Sequence, residues 1–106
     1  MFTYSGHRHS GGAGGQLVTR EGDILSPIPS QRLVNHSPDG FNWGYGGSGP
    51  AQLALALLLD ATRDEETARE YYQEFKDEFV ARWEDSFHIT REEILAWVKQ
   101  QKEKVA

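Results

Sequence analysis

A chain of 106 residues with 38% apolar and 25% charged side chains has the composition of one globular domain, not of a disordered segment. It contains no cysteine, which excludes disulfides, thiolate zinc sites and cysteine nucleophiles. The net charge of −5 comes entirely from residues 60–106; no lysine or arginine cluster offers the phosphate contacts that duplex nucleic acid needs, and no apolar run is long enough to span a membrane.

Phe2, Tyr4 and Gly6 alternate with Thr3, Ser5 and His7, a period-two pattern that predicts an edge strand. The start Met1-Phe2-Thr3-Tyr4 lacks the basic and apolar regions of a signal peptide, so a cytoplasmic protein is expected. Ser10 to Gly15 reads as a flexible connector at the tip of a long hairpin. Gln16 to Thr19 is a second strand and Glu21-Gly22-Asp23 a turn. Ile24-Leu25 is a short third strand ended by Pro27 and Pro29, and Leu33-Val34 adds a brief extended piece.

The most specific stretch follows. From Ser37 to Gln52 the chain reads Ser-Pro-Asp-Gly-Phe-Asn-Trp-Gly-Tyr-Gly-Gly-Ser-Gly-Pro-Ala-Gln. Ser37-Pro38-Asp39-Gly40 has the residue order of a type I turn. Phe41, Trp43 and Tyr45 at alternate positions imply a loop held still, because large rings on a mobile loop stay wet.

Three helices are expected beyond it. Gly49 caps the first, Pro50 opens it, and Leu53, Leu55, Leu57, Leu58 and Leu59 surround it through Ala61, which makes it the buried core element. Asp64 begins the second, whose apolar face runs through Ala68, Tyr72, Phe75, Phe79 and Trp83. His88 falls in a short connection. Thr90 and Glu93 form a capping box for the third helix, with Ile89 stapled onto Ile94 and a frayed end over Lys99–Lys104.

Gly44 to Gly49 satisfies G-x-G-x-x-G, but no strand follows the leucine-rich helix, so a dinucleotide fold is rejected. A P-loop fails because Pro50 stands where the lysine belongs. What survives is a glycine-rich helix entrance whose free N–H groups attract anions. Ser48 adds a hydroxyl donor, Trp43 and Tyr45 can stack on a base or sugar, and Arg8, Arg32 and His36 can supply positive charge. The bland alternative is that the glycines let the loop pack on a buried helix while the rings close the core. A Ser48–His36–Asp39 hydrolytic set and a His7–His9 metal clip have the right residue types but weak spacing.

Asn35 to Leu55 resembles the central motif of a family of short bacterial, archaeal and phage proteins classed only as a domain of unknown function. The resemblance extends more loosely to Tyr4-x-Gly6-x-Arg8, to Tyr72-Gln73-x-Phe75-Lys76 and to Ile89-Thr90-x-x-Glu93-Ile94. It implies a small accessory role in phages and mobile elements, such as host takeover or counter-defence, and it brings no activity with it. The Ser10–Gly15 insert is longer than the family's usual connector.

The expectation is therefore an α+β fold: a small antiparallel sheet from residues 1–34, a glycine and aromatic loop over 35–49, and helices over 50–104. The expected function is non-catalytic binding of a phosphate-bearing ligand such as a nucleotide, without metal or cofactor. Its site comprises Arg8, His36, Trp43, Tyr45, Gly46, Gly47, Ser48 and Gly49. The alternative is an inhibitor of a host protein acting through the aromatic loop or the acidic helices. Three tryptophans and short edge strands leave room for a homo-oligomer.

Overall fold

In the computed structural model, residues 2–9, 11 and 14–105 are described, Val105 by its backbone only. Ser10, Gly12 and Ala13 of the expected connector lie outside the described residues. Strands β1 (Thr3–His7), β2 (Val18–Arg20), β3 (Asp23–Ile24) and β4 (Ser86–Thr90) form one antiparallel sheet in the order β3-β2-β1-β4. The helices are α1 (Ile28–Leu33), α2 (Ser48–Thr62), α3 (Glu65–Glu78) and α4 (Arg91–Val105), with a 3-10 turn at Val80–Arg82. The fold is α+β.

Two elements depart from expectation. Ser86–Thr90, read as a connection around His88, is strand β4, and it pairs along the whole of β1. β1 is therefore an interior strand, not an edge. Pro27 and Pro29 do not end a strand but open α1, where a missing N–H costs nothing because first-turn donors have no intrahelical acceptor.

The sheet presents one face to the helices. Tyr4, Val18, Phe87 and Ile89 alternate with exposed or half-buried partners and join the core. Gly6 lies beneath the rings of Phe87 and Trp43, where a Cβ would come within 2.7 Å of each. Phe87 is sandwiched: Trp83 stacks on it at 4.1 Å and Trp43 meets it edge-on at 4.9 Å. The leucine-rich α2 is innermost, with Leu53, Leu55, Leu57 and Leu58 sealed off from water. It starts two residues before the expected Pro50, at Ser48, with Gly47 as its cap residue.

α3 is amphipathic and buries Ala68, Tyr71, Tyr72 and Phe75. Asp64 caps it by accepting from the Glu66 amide, and this bond with that from the Thr67 hydroxyl holds the carboxyl below its ordinary pKa, the Thr67 bond contributing most. The apolar series continues to Trp83 but the helix stops at Glu78, and the 3-10 turn carries the chain toward β4. α4 runs helical to Val105 with a largely exposed end over Lys99–Lys104, where Lys102 and Lys104 are placed favourably at the negative end of its dipole.

Candidate functional site

The glycine and aromatic loop is pinned at nearly every step. Gly40 N–H closes the Ser37 turn at 3.1 Å, and Gln16 N–H donates to Phe41 O at 2.7 Å. Asn42 donates its amide to Gly14 O, and its oxygen accepts from the Trp43 N–H. From below, the buried Gln52 accepts from the backbone N–H groups of His36 and Ser37. Gly44 N–H donates to Val80 O at 2.9 Å.

Gly44 then decides where the two rings go. Its φ of +90° lies in the region that glycine adopts readily and other residues rarely do, and the chain swings outward there. Trp43 turns in, fully enclosed, and donates its Nε1–H to Glu84 O at 2.7 Å. Tyr45 turns out and is 49% exposed. Its ring folds back over Gly47, and its hydroxyl lies over Gly49, where added Cβ atoms would meet it at 2.7 and 3.2 Å. The alternate spacing of the rings thus splits them between core and surface. Trp43 offers no face to a stacking ligand, and of the two rings only that of Tyr45 is exposed.

Past Gly44 the pins end. Among the described residues, the amides of Tyr45, Gly46, Gly47, Ser48 and Gly49 find no acceptor. Beside them opens a hollow of about 410 Å³, lined by Gly15, Ser37, Asp39, Asn42, Tyr45, Ser48 and neighbouring backbone. Gly49 has to be glycine because a side chain there would run into Asn42 at 2.7 Å. Gly15 has to be one because a Cβ would strike the Asp39 carbonyl.

The expected cations are elsewhere. The Arg8 guanidinium passes behind Gly44, donates to Trp43 O and lies 5.5 Å over the Trp43 ring; its ion pair with the exposed Asp85 is 3.4 Å long. His36 points away from the hollow and shares a 2.6 Å hydrogen bond with the Tyr72 hydroxyl. Arg32 does not line the hollow either. These residues were expected at the site only if the fold brought them there, and the turn at Gly44 leaves Arg8 behind the loop while the clamp at Gln52 holds the His36 backbone on its other side. With His36 engaged by Tyr72, the Ser48–His36–Asp39 set is not assembled, although Ser48 and Asp39 line one hollow. His7 and His9 meet edge to face at 5.6 Å. Among the described residues no three His, Asp or Glu side chains are placed to hold a metal ion.

Reading the sequence missed Asn42 and the Gly14-Gly15 wall of this hollow. Gly14 and Gly15 looked like connector, yet a close backbone approach such as that of Gly15 to Asp39 needs the same residue type. It also missed a part-buried polar cluster near the C-terminal end of α2. There Tyr4 donates to Asp60 at 2.6 Å and Arg20 to the same carboxylate at 2.8 Å.

The architecture is thus a small α+β domain of the kind that presents a glycine-rich helix entrance beside an open polar hollow. By sequence, residues 4–100 match the family of unknown function DUF6166, and the chain belongs to that family. No curated protein and no solved structure matches the chain. No helix among the described residues is long and apolar enough to cross a membrane.

Proposed function

We propose that this chain is a non-catalytic binding protein that holds a phosphate-bearing small ligand, a nucleotide in preference to inorganic phosphate, at the entrance of α2. One observation carries the reading: five consecutive amides, Tyr45 to Gly49, lack an acceptor, and Tyr45, Ser48 and Gly49 of these line an open hollow. Such amides at the positive end of a helix dipole attract oxyanions without any cation. The dipole alone contributes only about 0.3–1 kcal/mol at an exposed site, so the rest of the ligand has to contribute. Tyr45 supplies a half-exposed ring for a base or sugar, and the Asp39 carboxylate supplies an acceptor for its hydroxyl or amine groups. Asp39 repels a bare phosphate, which is why the ligand needs a hydrogen-bond-donating end. For a protein carried by a phage or mobile element, such a site would sequester a host signal nucleotide in the host cytoplasm.

Titration calorimetry with inorganic phosphate, mononucleotides and cyclic nucleotides tests the proposal. Ser48→Pro deletes one of the amides at a helical position where proline is well tolerated, and it should weaken a nucleotide several-fold while leaving the fold intact. Asp39→Asn should strengthen phosphate and weaken nucleotide preference. Silence of the wild-type protein across the panel at millimolar ligand overturns the proposal. The second reading, inhibition of a host protein, draws on the exposed acidic row Glu66, Glu70, Glu74 and Asp77 of α3. A host partner retained by Ser48→Pro but lost on charge reversal at Glu70 and Glu74 would favour it.

A further inference from the structure

We propose that β4 is a pairing edge, and that its partner is β4 of a second copy of this chain, joined antiparallel about a two-fold axis through Phe87. The argument starts from ladder parity. Arg8 N–H donates to Asp85 O, and Arg91 N–H donates to Phe2 O. With the register Gly6↔Phe87 and Tyr4↔Ile89, the odd-numbered residues of β4 turn their peptide groups toward β1. Ser86, His88 and Thr90 turn theirs outward. The Thr90 N–H is already taken by Glu93. Ser86 and His88 are exposed, and among the described residues their backbone N–H and C=O groups have no partner.

Open edges are usually blunted by shortness, proline, lysine or a bulge. The opposite edge is blunted in this way: β3 is two residues long and ends shortly before Pro27. β4 has five residues, Ser-Phe-His-Ile-Thr, and carries none of these defences.

The free groups also complement themselves. With Phe87 opposite Phe87 of the second copy, Ser86 of each chain falls opposite His88 of the other. Ser86 and His88 then exchange both N–H···O bonds at each of the two sites, four in all, and no outward peptide group between Asp85 and Ile89 is left over. Thr90 keeps its cap. A shift to His88 opposite His88 would set Ser86 against Thr90, whose N–H is occupied, so the Phe87 register is the one that closes. Trp83, which is half-buried and stacked on Phe87, supplies apolar surface on the helix side of the joint. On the outer side Glu84 comes opposite Thr90 and its capping Glu93, and each copy carries a net charge of −5. Association should therefore strengthen with salt.

Sedimentation velocity on the full chain, at micromolar to millimolar concentration in low and high salt, tests this, together with amide hydrogen exchange. The expected result is a monomer–dimer equilibrium shifted to dimer by salt, with the Ser86 and His88 amides protected as concentration rises. His88→Pro removes an outward N–H without removing a ladder bond. The loss of two of the four interchain bonds should weaken the dimer about 10- to 100-fold. Ser86→Pro is the equivalent variant should the first fail to fold, and circular dichroism checks both. A chain that stays monomeric at millimolar concentration overturns the proposal, as does a dimer that survives a folded proline variant. Protection of the edge only when another protein is added would assign it to an extended segment of that protein instead.

Discussion

The side-chain oxygen of Gln52 accepts the backbone N–H of His36 at 2.8 Å from a position inside the core that no water reaches. The same oxygen takes the Ser37 N–H at 2.9 Å, and its amide nitrogen donates to Ser30 Oγ at 3.0 Å and Val34 O at 3.1 Å. All four bonding positions of one buried carboxamide are filled, and they tie α1 and the start of the glycine loop to α2. Gln52→Leu keeps much of the volume but strands two donors and two acceptors. The expected cost is about 2–4 kcal/mol, read as a fall in Tm of roughly 10 °C or more in thermal unfolding. Gln52→Leu with unchanged Tm would show that the loop is held by other contacts.

Two glycines should respond in opposite ways. Gly6→Ala pushes a methyl into Phe87 and Trp43, two rings that are themselves enclosed, and overpacking of this kind costs about 1–3 kcal/mol. Gly46→Ala meets nothing within 4 Å and its backbone has no positive φ, so it should be neutral or stabilise by a few tenths of a kcal/mol through the unfolded chain. Chemical denaturation of the two variants side by side checks the contrast. Gly46→Ala also leaves its amide in place, so nucleotide binding should survive it.

High pH should find one particular hydroxyl. Burial first, and then the hydrogen bond to the Asp60 carboxylate, push the Tyr4 phenol well above its ordinary 10.0. In the unfolded chain Tyr4 ionises near that ordinary value, whereas in the fold it keeps its proton. Its contribution is complete below pH 10 and is lost as pH rises above 10 toward the native value. Stability measured by denaturation should therefore fall above pH 10, and less steeply in Tyr4→Phe. Tyr71 is also raised, by burial first and then by Glu70 and Glu74, so some slope should remain in that variant. Equal slopes in both proteins would refute the assignment to Tyr4.

The long periodic segments were legible: α2, α3 and α4 stand within a few residues of where the apolar spacing puts them, because a helix of three or four turns repeats its signal. β4 was missed although Phe87 and Ile89 alternate with Ser86, His88 and Thr90, since five residues between two helices look like a link until β1 is seen to need a neighbour. α1 was missed because six residues opened by prolines show no period at all. In the site, the composition of the loop pointed to a held, glycine-rich helix entrance, and the loop is held. What composition did not contain was direction. Trp43 and Tyr45 differ in fate only through the φ of Gly44, and Arg8 and His36 only through their bonds to Trp43 and Tyr72.

The junction between β4 and α4 offers the last test. Thr90 ends the strand and caps the helix: its N–H donates to Glu93 Oε1 at 3.0 Å, and its hydroxyl accepts the Glu93 N–H at 3.1 Å. Thr90→Ala strands one first-turn amide and should cost about 1 kcal/mol, whereas Thr90→Ser keeps the hydroxyl and should cost far less. Glu93→Ala removes the reciprocal bond and frees the outward Thr90 N–H at the strand edge. A double-mutant cycle between Thr90→Ala and Glu93→Ala should therefore show coupling, because each side chain serves the other's amide. The same Glu93→Ala variant also bears on the pairing edge, since it removes a negative charge opposite Glu84 and adds a free donor. Its self-association in low salt should exceed that of the wild type even as its monomer becomes less stable. Sedimentation and denaturation of one variant would thus move in opposite directions, which a purely destabilising change cannot produce.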